Sequence, residues 1–256
     1  MPLLRVEKMG HDFGGLRAVN NYDLEIESGQ IRGLIGPNGA GKTTIFDLIT
    51  GIYRPTEGNI ILDDKDIVGL QPHQIASMGL SRTFQNLRLW RHMTVLEHVK
   101  MAHYSRIGYG LIGAFLGTHR RHRKEAEIEE KAYSLLKLVG IGHLSDQVVV
   151  NLPYGAQRRV EMARALAVGP KILLLDEPTA GMNPEELMQM IEMIRRFHNE
   201  LGLAILLIEH RLRMVMELCE IIQTLVFGEV IAEGAPEEIQ NNPKVIDAYL
   251  GGEAVD

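Results

Sequence analysis

The stretch Gly36 to Thr44, GPNGAGKTT, limits what this chain can fold into more than any other. It satisfies the pattern G-x-x-x-x-G-K-[ST], follows the apolar run Ile31 to Ile35, and opens a periodic segment, Thr43 to Thr50, that stops at Gly51. Strand, glycine loop and helix in that order predict a parallel-sheet unit with a helix ended by a glycine. The glycines let the backbone wrap a polyanion and aim amide hydrogens at it from a helix N-terminus, whose dipole favours negative charge. On this reading Asn38, Gly39, Ala40, Gly41, Lys42, Thr43 and Thr44 cradle the phosphates of a nucleotide. Lys42 reaches the β- and γ-phosphates, and the Thr43 hydroxyl ligates Mg²⁺.

The rest of the chain fits such a core. Further strands are expected at Leu3 to Met9, Asp23 to Glu27, Asn59 to Leu62, Ile172 to Leu175, Ala204 to Ile208, Ile221 to Phe227 and Glu229 to Gly234. Strands separated by helical rhythm predict an α/β fold with a largely parallel sheet, and the early hairpin-like strands predict an antiparallel side sheet. Between Gln85 and Leu152 the strand signal vanishes, while Thr94 to His103 and Arg123 to Val139 carry apolar residues at helical spacing. We therefore expect an inserted helical subdomain over residues 86–155, a core from residues 1–85 and 156–235, and a short helical tail over 236–256.

Bulk properties exclude several classes. The 27 basic against 33 acidic residues give a net charge of -6, the wrong sign for a binder of phosphate backbones, so no nucleic-acid partner is expected. The longest uncharged stretch, Ile107 to Thr118, is too short and glycine-rich to span a bilayer, and no secretory signal is recognisable in MPLLRVEKMG. A basic run, THRRHRK, follows that stretch. The pair suits an anionic membrane surface, but a glycine-rich connection with a solvated basic end is the simpler reading. The single cysteine, Cys219, sits in a helical apolar pattern and reads as a core thiol. The methionine-rich segment Glu185 to Phe197 has the spacing of a core helix.

Two more strand ends carry chemistry. The run LLLDEP closes on Asp176 and Glu177 at the carboxyl edge of a buried strand, where α/β sheets bind ligands. An acidic pair there also suits a helix N-cap, but beside a phosphate loop Asp176 reads as the holder of the Mg²⁺ shell through water. Glu177 then reads as the base that polarises the attacking water. His210 ends AILLIEH in the same way and reads as a sensor of the γ-phosphate.

With GPNGAGKTT, Gln85, LLLDEP and LLIEH in this order, the chain resembles the ATP-binding subunits of ABC transporters over nearly its whole length. The resemblance implies a P-loop ABC ATPase core with an antiparallel β side sheet and an inserted helical subdomain. It makes ATP and Mg²⁺ the ligands, Gln85 in RTFQN a contact to Mg²⁺ that signals to membrane subunits, and Phe13 in HDFGGLRAV the ring that stacks on adenine. It also places LPYGAQ, Leu152 to Gln157, where that family carries the signature LSGGQ at the start of a helix, here expected from Gln157 to Ala167. Pro153 stands for the serine whose hydroxyl meets the γ-phosphate across a dimer interface, and proline brings neither hydroxyl nor amide hydrogen. Gly155 keeps its amide at the helix start. Asn183 in AGMN departs from the usual aspartate.

The altered signature, RTFQN and the ending NNPKVIDAYLG resemble one branch, the LivG-type ATPases of branched-chain amino-acid importers. That resemblance implies a head-to-tail dimer with a second ATP-binding subunit, either a related shorter ATPase or a second copy. It further implies two permease subunits, an indirect periplasmic solute-binding protein, and residence on the cytoplasmic face of the membrane. The alternatives are an envelope-lipid exporter ATPase, whose signature more often keeps the serine, and a soluble ABC protein of ribosomes or DNA, which usually carries paired nucleotide domains or a long coiled coil. A non-hydrolysing scaffold is disfavoured by the presence of both Glu177 and His210.

Overall fold

In the computed structural model, which describes residues 1–107 and 119–250, the chain forms two compact units. One comprises Met1–Arg82 and the segment from Lys171 onward; the other is Thr83–Pro170.

The first unit is built on two sheets. The side sheet has the order β2 (Leu16–Ile26), β1 (Leu4–Phe13), β4 (Glu57–Leu62), β5 (Lys65–Asp66), all antiparallel. The core sheet has the order β10 (Glu229–Gly234), β9 (Ile221–Val226), β3 (Ile31–Ile35), β8 (Ala204–Ile208), β7 (Ile172–Asp176), β6 (Leu80–Arg82). It is parallel except for β10, which pairs antiparallel with β9 at one edge. Strands β3, β7 and β8 are buried at every residue, as expected for IRGLI, ILLLD and AILLI in a sheet covered on both faces.

Helix α1 (Lys42–Ile49) follows the glycine loop and ends at Thr50 and Gly51, the glycine taking a φ of 73°. Its Ile45, Phe46, Leu48 and Ile49 join one core with Leu4, Val6, Tyr22 and Ile60 of the side sheet and Leu34, Leu174 and Leu206 of the core sheet. Each such fully buried side chain stabilises by about 1.5–3 kcal/mol, so the helix carrying the phosphate loop is anchored along its apolar face. Helix α2 (Pro72–Ser77) precedes β6.

The second unit holds α3 (Val95–Ile107), α4 (His119–Leu138) and α5 (Tyr154–Ala167), with short 3-10 turns at Gly142–Leu144 and Val149–Asn151. Helix α5 packs on α3 and α4, so this unit takes in a helix that the sequence reading placed with the core. Residues 108–118, the glycine-rich stretch discussed above, lie outside the described residues.

The remaining helices belong to the first unit. Helix α6 (Pro184–Leu201) is capped at both ends by sequence: Asn183 accepts from the Glu185 and Glu186 amides at 2.9 and 3.0 Å, Pro184 opens the helix, and Gly202 closes it at φ 63°. Its buried stripe includes Leu187, Met190, Ile191, Ile194 and Phe197, so the methionines are core residues. Helix α7 (Leu212–Leu218) precedes β9, and the tail forms α8 (Pro236–Gln240) and α9 (Pro243–Leu250).

Several boundaries differ from the sequence expectation. Strand β1 runs on to Phe13 through register irregularities and turns at Gly14 and Gly15 so that Phe13 pairs with Leu16. Strand β2 begins seven residues earlier than the expected Asp23, because its first half is only partly buried and lacks an alternating apolar pattern. The short β5 and β6 were not foreseen. Helix α5 starts at Tyr154 with Pro153 as its N-cap, three residues before the expected Gln157. The amides of Ala156 and Gln157 already donate to the Pro153 carbonyl at 3.0 and 3.1 Å.

Candidate functional site

The loop between β3 and α1 owes its path to glycine. Gly36, Gly39 and Gly41 have φ of 148°, 79° and 103°, values that strain any residue with a Cβ. A Cβ on Gly36 would run into the Leu225 carbonyl, and one on Gly41 would lie 2.6 Å from the Ala18 carbonyl oxygen. Asn38, Gly39 and Thr43 are exposed, Gly41 and Thr44 are half-buried, and Ala40 is packed inside. Lys42 is buried and folds back over the loop, its Nζ donating to the carbonyls of Gly36 and Pro37 at 2.7 and 2.8 Å. Burial holds its pKa below the ordinary lysine value, against the opposing pull of Glu177 and Asp176. A buried ammonium resting on neutral carbonyls beside an open glycine loop is a site suited to an anion.

Asp176 ends β7 as a buried carboxylate. Its Oδ2 accepts from Arg82 Nη2 at 2.7 Å, and Arg82 Nη1 reaches Asp47 Oδ1 on α1 at 2.5 Å. The Arg82 guanidinium lies 5.3 Å from the centre of the Phe46 ring. Burial raises the Asp176 pKa, with Arg82 pulling the other way. Arg82 thus ties β6, β7 and α1 together at the loop, a role that sequence reasoning missed because the partners lie 35 and 94 residues apart.

Glu177 continues the β7 and β8 pairing by donating its amide to the Ile208 carbonyl at 2.9 Å, then turns into the left-handed region at φ 46°. Its Oε1 lies 2.5 Å from Nε2 of His210. The two strand-end residues singled out separately in the sequence are therefore hydrogen-bonded partners. Glu209, which the sequence reading passed over, is buried beneath them: its Oε1 accepts from the amide and the hydroxyl of Thr179, and its Oε2 from the amides of His210 and Arg211. The signal was present as a charged residue following the apolar run AILLI.

Phe13 is exposed at the end of β1, with its ring edge-on to His11 at 4.5 Å and to Tyr53 at 5.2 Å between centroids. In the helical unit Gln85 is exposed, and its carbonyl and that of Phe84 accept from the buried Arg158 on α5. Arg158 is neutralised by Glu161 at 2.7 Å, and Glu161 in turn accepts from the Phe84 amide at 3.2 Å. Pro153 and Gly155 sit at the start of α5, where Gln157 Nε2 donates back to the Leu152 carbonyl at 2.9 Å.

Among the described residues no cluster of three or more His, Cys, Asp or Glu is placed to hold a metal ion. Mg²⁺ does not need such a cage: it keeps several waters and takes one or two hard oxygens beside substrate phosphates. The Thr43 hydroxyl, exposed at the helix start, and the Asp176 carboxylate, with one oxygen on Arg82, fit a direct and a water-mediated ligand respectively. Among the described residues no helix is long and apolar enough to cross a membrane.

Known proteins resemble this chain over nearly its whole length. Residues 19–180 match the family model described as ABC transporter, and residues 229–255 match one described as branched-chain amino acid ATP-binding cassette transporter. The chain is 45% identical to the high-affinity branched-chain amino acid transport ATP-binding protein LivG of Escherichia coli (strain K12) over 98% of both chains. It is 34% identical to the lipopolysaccharide export system ATP-binding protein LptB of Haemophilus influenzae over 98% of both chains. Among solved structures, the ADP conformation of MJ1267, an ATP-binding cassette of an ABC transporter, superposes with a TM-score of 0.85 at 30% identity, over 98% of this chain and 99% of that one.

Proposed function

The chain belongs to the ABC transporter ATP-binding family, and from that premise we propose that it is the ATP-hydrolysing subunit of an importer of branched-chain amino acids. It is an ATPase coupled to transport, with a nucleotide-binding cassette fold. The observation that carries the substrate class is the full-length likeness to an importer ATPase, well above the likeness to an exporter ATPase. The C-terminal match supports the same reading.

The mechanism uses the residues at the loop and the two strand ends. ATP lies with its phosphates over Asn38 to Thr44, where backbone amides and the Lys42 ammonium meet the β- and γ-oxygens. Phe13 faces the adenine. Thr43 and Asp176, with Gln85 as a further contact, would hold Mg²⁺, which when bound would supply charge neutralisation beside the nucleotide's phosphates. Glu177 orients a water and takes its proton as the water oxygen bonds to the γ-phosphorus. The bond to the β,γ-bridging oxygen breaks, leaving ADP and inorganic phosphate. His210, already on Glu177, holds that carboxylate and meets the γ-phosphate.

One chain supplies one phosphate loop and one signature helix, so the working site needs a second ATP-binding subunit. We infer a head-to-tail dimer with a related shorter ATPase or a second copy, in which the start of the opposite α5 covers the nucleotide through the Gly155 amide, without a serine at Pro153. Gln85 and the helical unit face two permease subunits at the cytoplasmic side of the membrane, and the permeases receive solute from a periplasmic binding protein. Deleting the gene in its host should abolish high-affinity uptake of labelled leucine, isoleucine and valine. Wild type should restore uptake and Lys42→Ala should not; unchanged uptake in the deletion strain would refute the substrate assignment.

A further inference from the structure

Glu209 is a buried acidic residue that takes no part in the hydrolysis scheme. This carboxylate is buried between the turn after β7 and the turn after β8. A carboxylate out of water is costly unless its lone pairs are taken by hydrogen bonds. Here four donors do so: the Thr179 amide at 2.8 Å, the Thr179 hydroxyl, the His210 amide at 3.1 Å and the Arg211 amide at 3.3 Å. One oxygen serves the segment that carries Glu177, and the other serves the segment that carries His210. A second strut runs parallel, Arg211 Nη2 donating to the Met182 carbonyl at 2.5 Å. Within the first segment, the Ala180 amide returns to the Glu177 carbonyl at 3.2 Å and the Met182 amide to that of Thr179 at 3.1 Å. The clamp therefore reaches the backbone on both sides of the 2.5 Å contact between His210 Nε2 and Glu177 Oε1.

We propose that Glu209 is the positioning residue of the hydrolytic site, locking the Glu177 and His210 turns into one body so that base and sensor stay in register. Glu209 touches neither nucleotide nor water in this scheme; it acts through His210. The inference rests on the reading of Glu177 and His210 given above. Glu209→Gln keeps the shape but turns one acceptor oxygen into an NH₂ group, which faces either the Thr179 donors or the two amides and must release them.

The test is steady-state ATP hydrolysis by the full chain in its transporter complex, with a fluorescent ATP analogue to read binding and thermal melting to read folding. Glu209→Gln should lower kcat by about tenfold or more while KM and analogue affinity stay within about twofold. Combined with His210→Ala it should cost no further kcat, because both act at one contact. Thr179→Val, which removes a single donor, should lower kcat by a few fold with unchanged melting and serves where Glu209→Gln fails to fold. Wild-type kcat in Glu209→Gln or Thr179→Val, or losses that multiply in the double variant, would overturn the inference while leaving the functional reading intact. Wild-type turnover in Glu177→Gln would overturn that reading and the inference together.

Discussion

Glu177 adopts a backbone φ of 46°, a conformation that costs a residue bearing a Cβ about 1–2 kcal/mol. The strain is met by the Ile208 carbonyl on one side and His210 on the other, and its product is a carboxylate turned out of the strand onto the His210 ring. Strain held at one acidic residue beside a buried lysine is what an active site requires and a core does not. Glu177→Gln should therefore still bind ATP but lose steady-state hydrolysis by about tenfold or more; preserved turnover would remove Glu177 from the role of base. Lys42 carries the complementary expectation. Its ammonium rests on two carbonyls rather than on a carboxylate, so Lys42→Ala should spare the fold and weaken nucleotide binding by about tenfold or more, since charge-assisted bonds contribute about 1.5–3 kcal/mol. Equal affinity in titration with a fluorescent nucleotide would contradict it.

Among the elements, α3 supplies a clean pH probe. His98 is fully buried; its Nε2 accepts from the Trp90 amide at 2.9 Å and its Nδ1 donates to the Thr94 carbonyl at 2.8 Å, which specifies the neutral ring. Burial lowers its pKa, the Thr94 carbonyl and Glu97 oppose that, and Arg164 adds to it. The unfolded chain then binds a proton that the folded one refuses, so stability is present above the ordinary histidine value of about 6.5 and is lost as pH falls through the lowered folded value. Trp90 is the only tryptophan, and its ring lies tilted against that of His98, 5.7 Å away between centroids. Its emission should shift on acidification from about pH 7 to 5, and His98→Gln should flatten the response; identical curves would sink the assignment. This pairing was invisible in the sequence, where His98 is one of ten histidines. What could be read at this scale were patterns with a physical period or a local cap: β3 and β8 appear at their expected ends because continuous apolar runs stop at turn residues. Helix α5 was expected too late because its first turn, Tyr154 to Ala156, has neither a polar cap nor an apolar stripe. Phosphate loop, acidic strand end and histidine were legible because each sits at a strand terminus. Arg82 and Glu209 were not, since long-range pairing alone defines them.

On the scale of the whole molecule, a polar chain joins the side sheet of the first unit to its core sheet. The Tyr22 hydroxyl donates to Gln223 Oε1 at 2.8 Å, Gln223 Nε2 donates to the Asp23 carbonyl at 3.0 Å and to Glu233 at 2.8 Å, and Glu233 pairs with Arg32. Gln223→Leu would leave the buried tyrosine hydroxyl without its acceptor, at about 1–3 kcal/mol. The expected fall in Tm is about 2–4 °C per kcal/mol for a chain of this size; an unchanged Tm would show the chain to be dispensable. Beyond the fold, this ATPase works inside an importer, and its partners are open to capture. The measurement that tests it most directly is to trap the Glu177→Gln chain with ATP in its host, purify it from membranes, and identify the co-purifying proteins by mass spectrometry. Two distinct permeases and a second ATP-binding subunit should co-purify; a lone homodimer without permeases, or ribosomal proteins in their place, would refute the importer role.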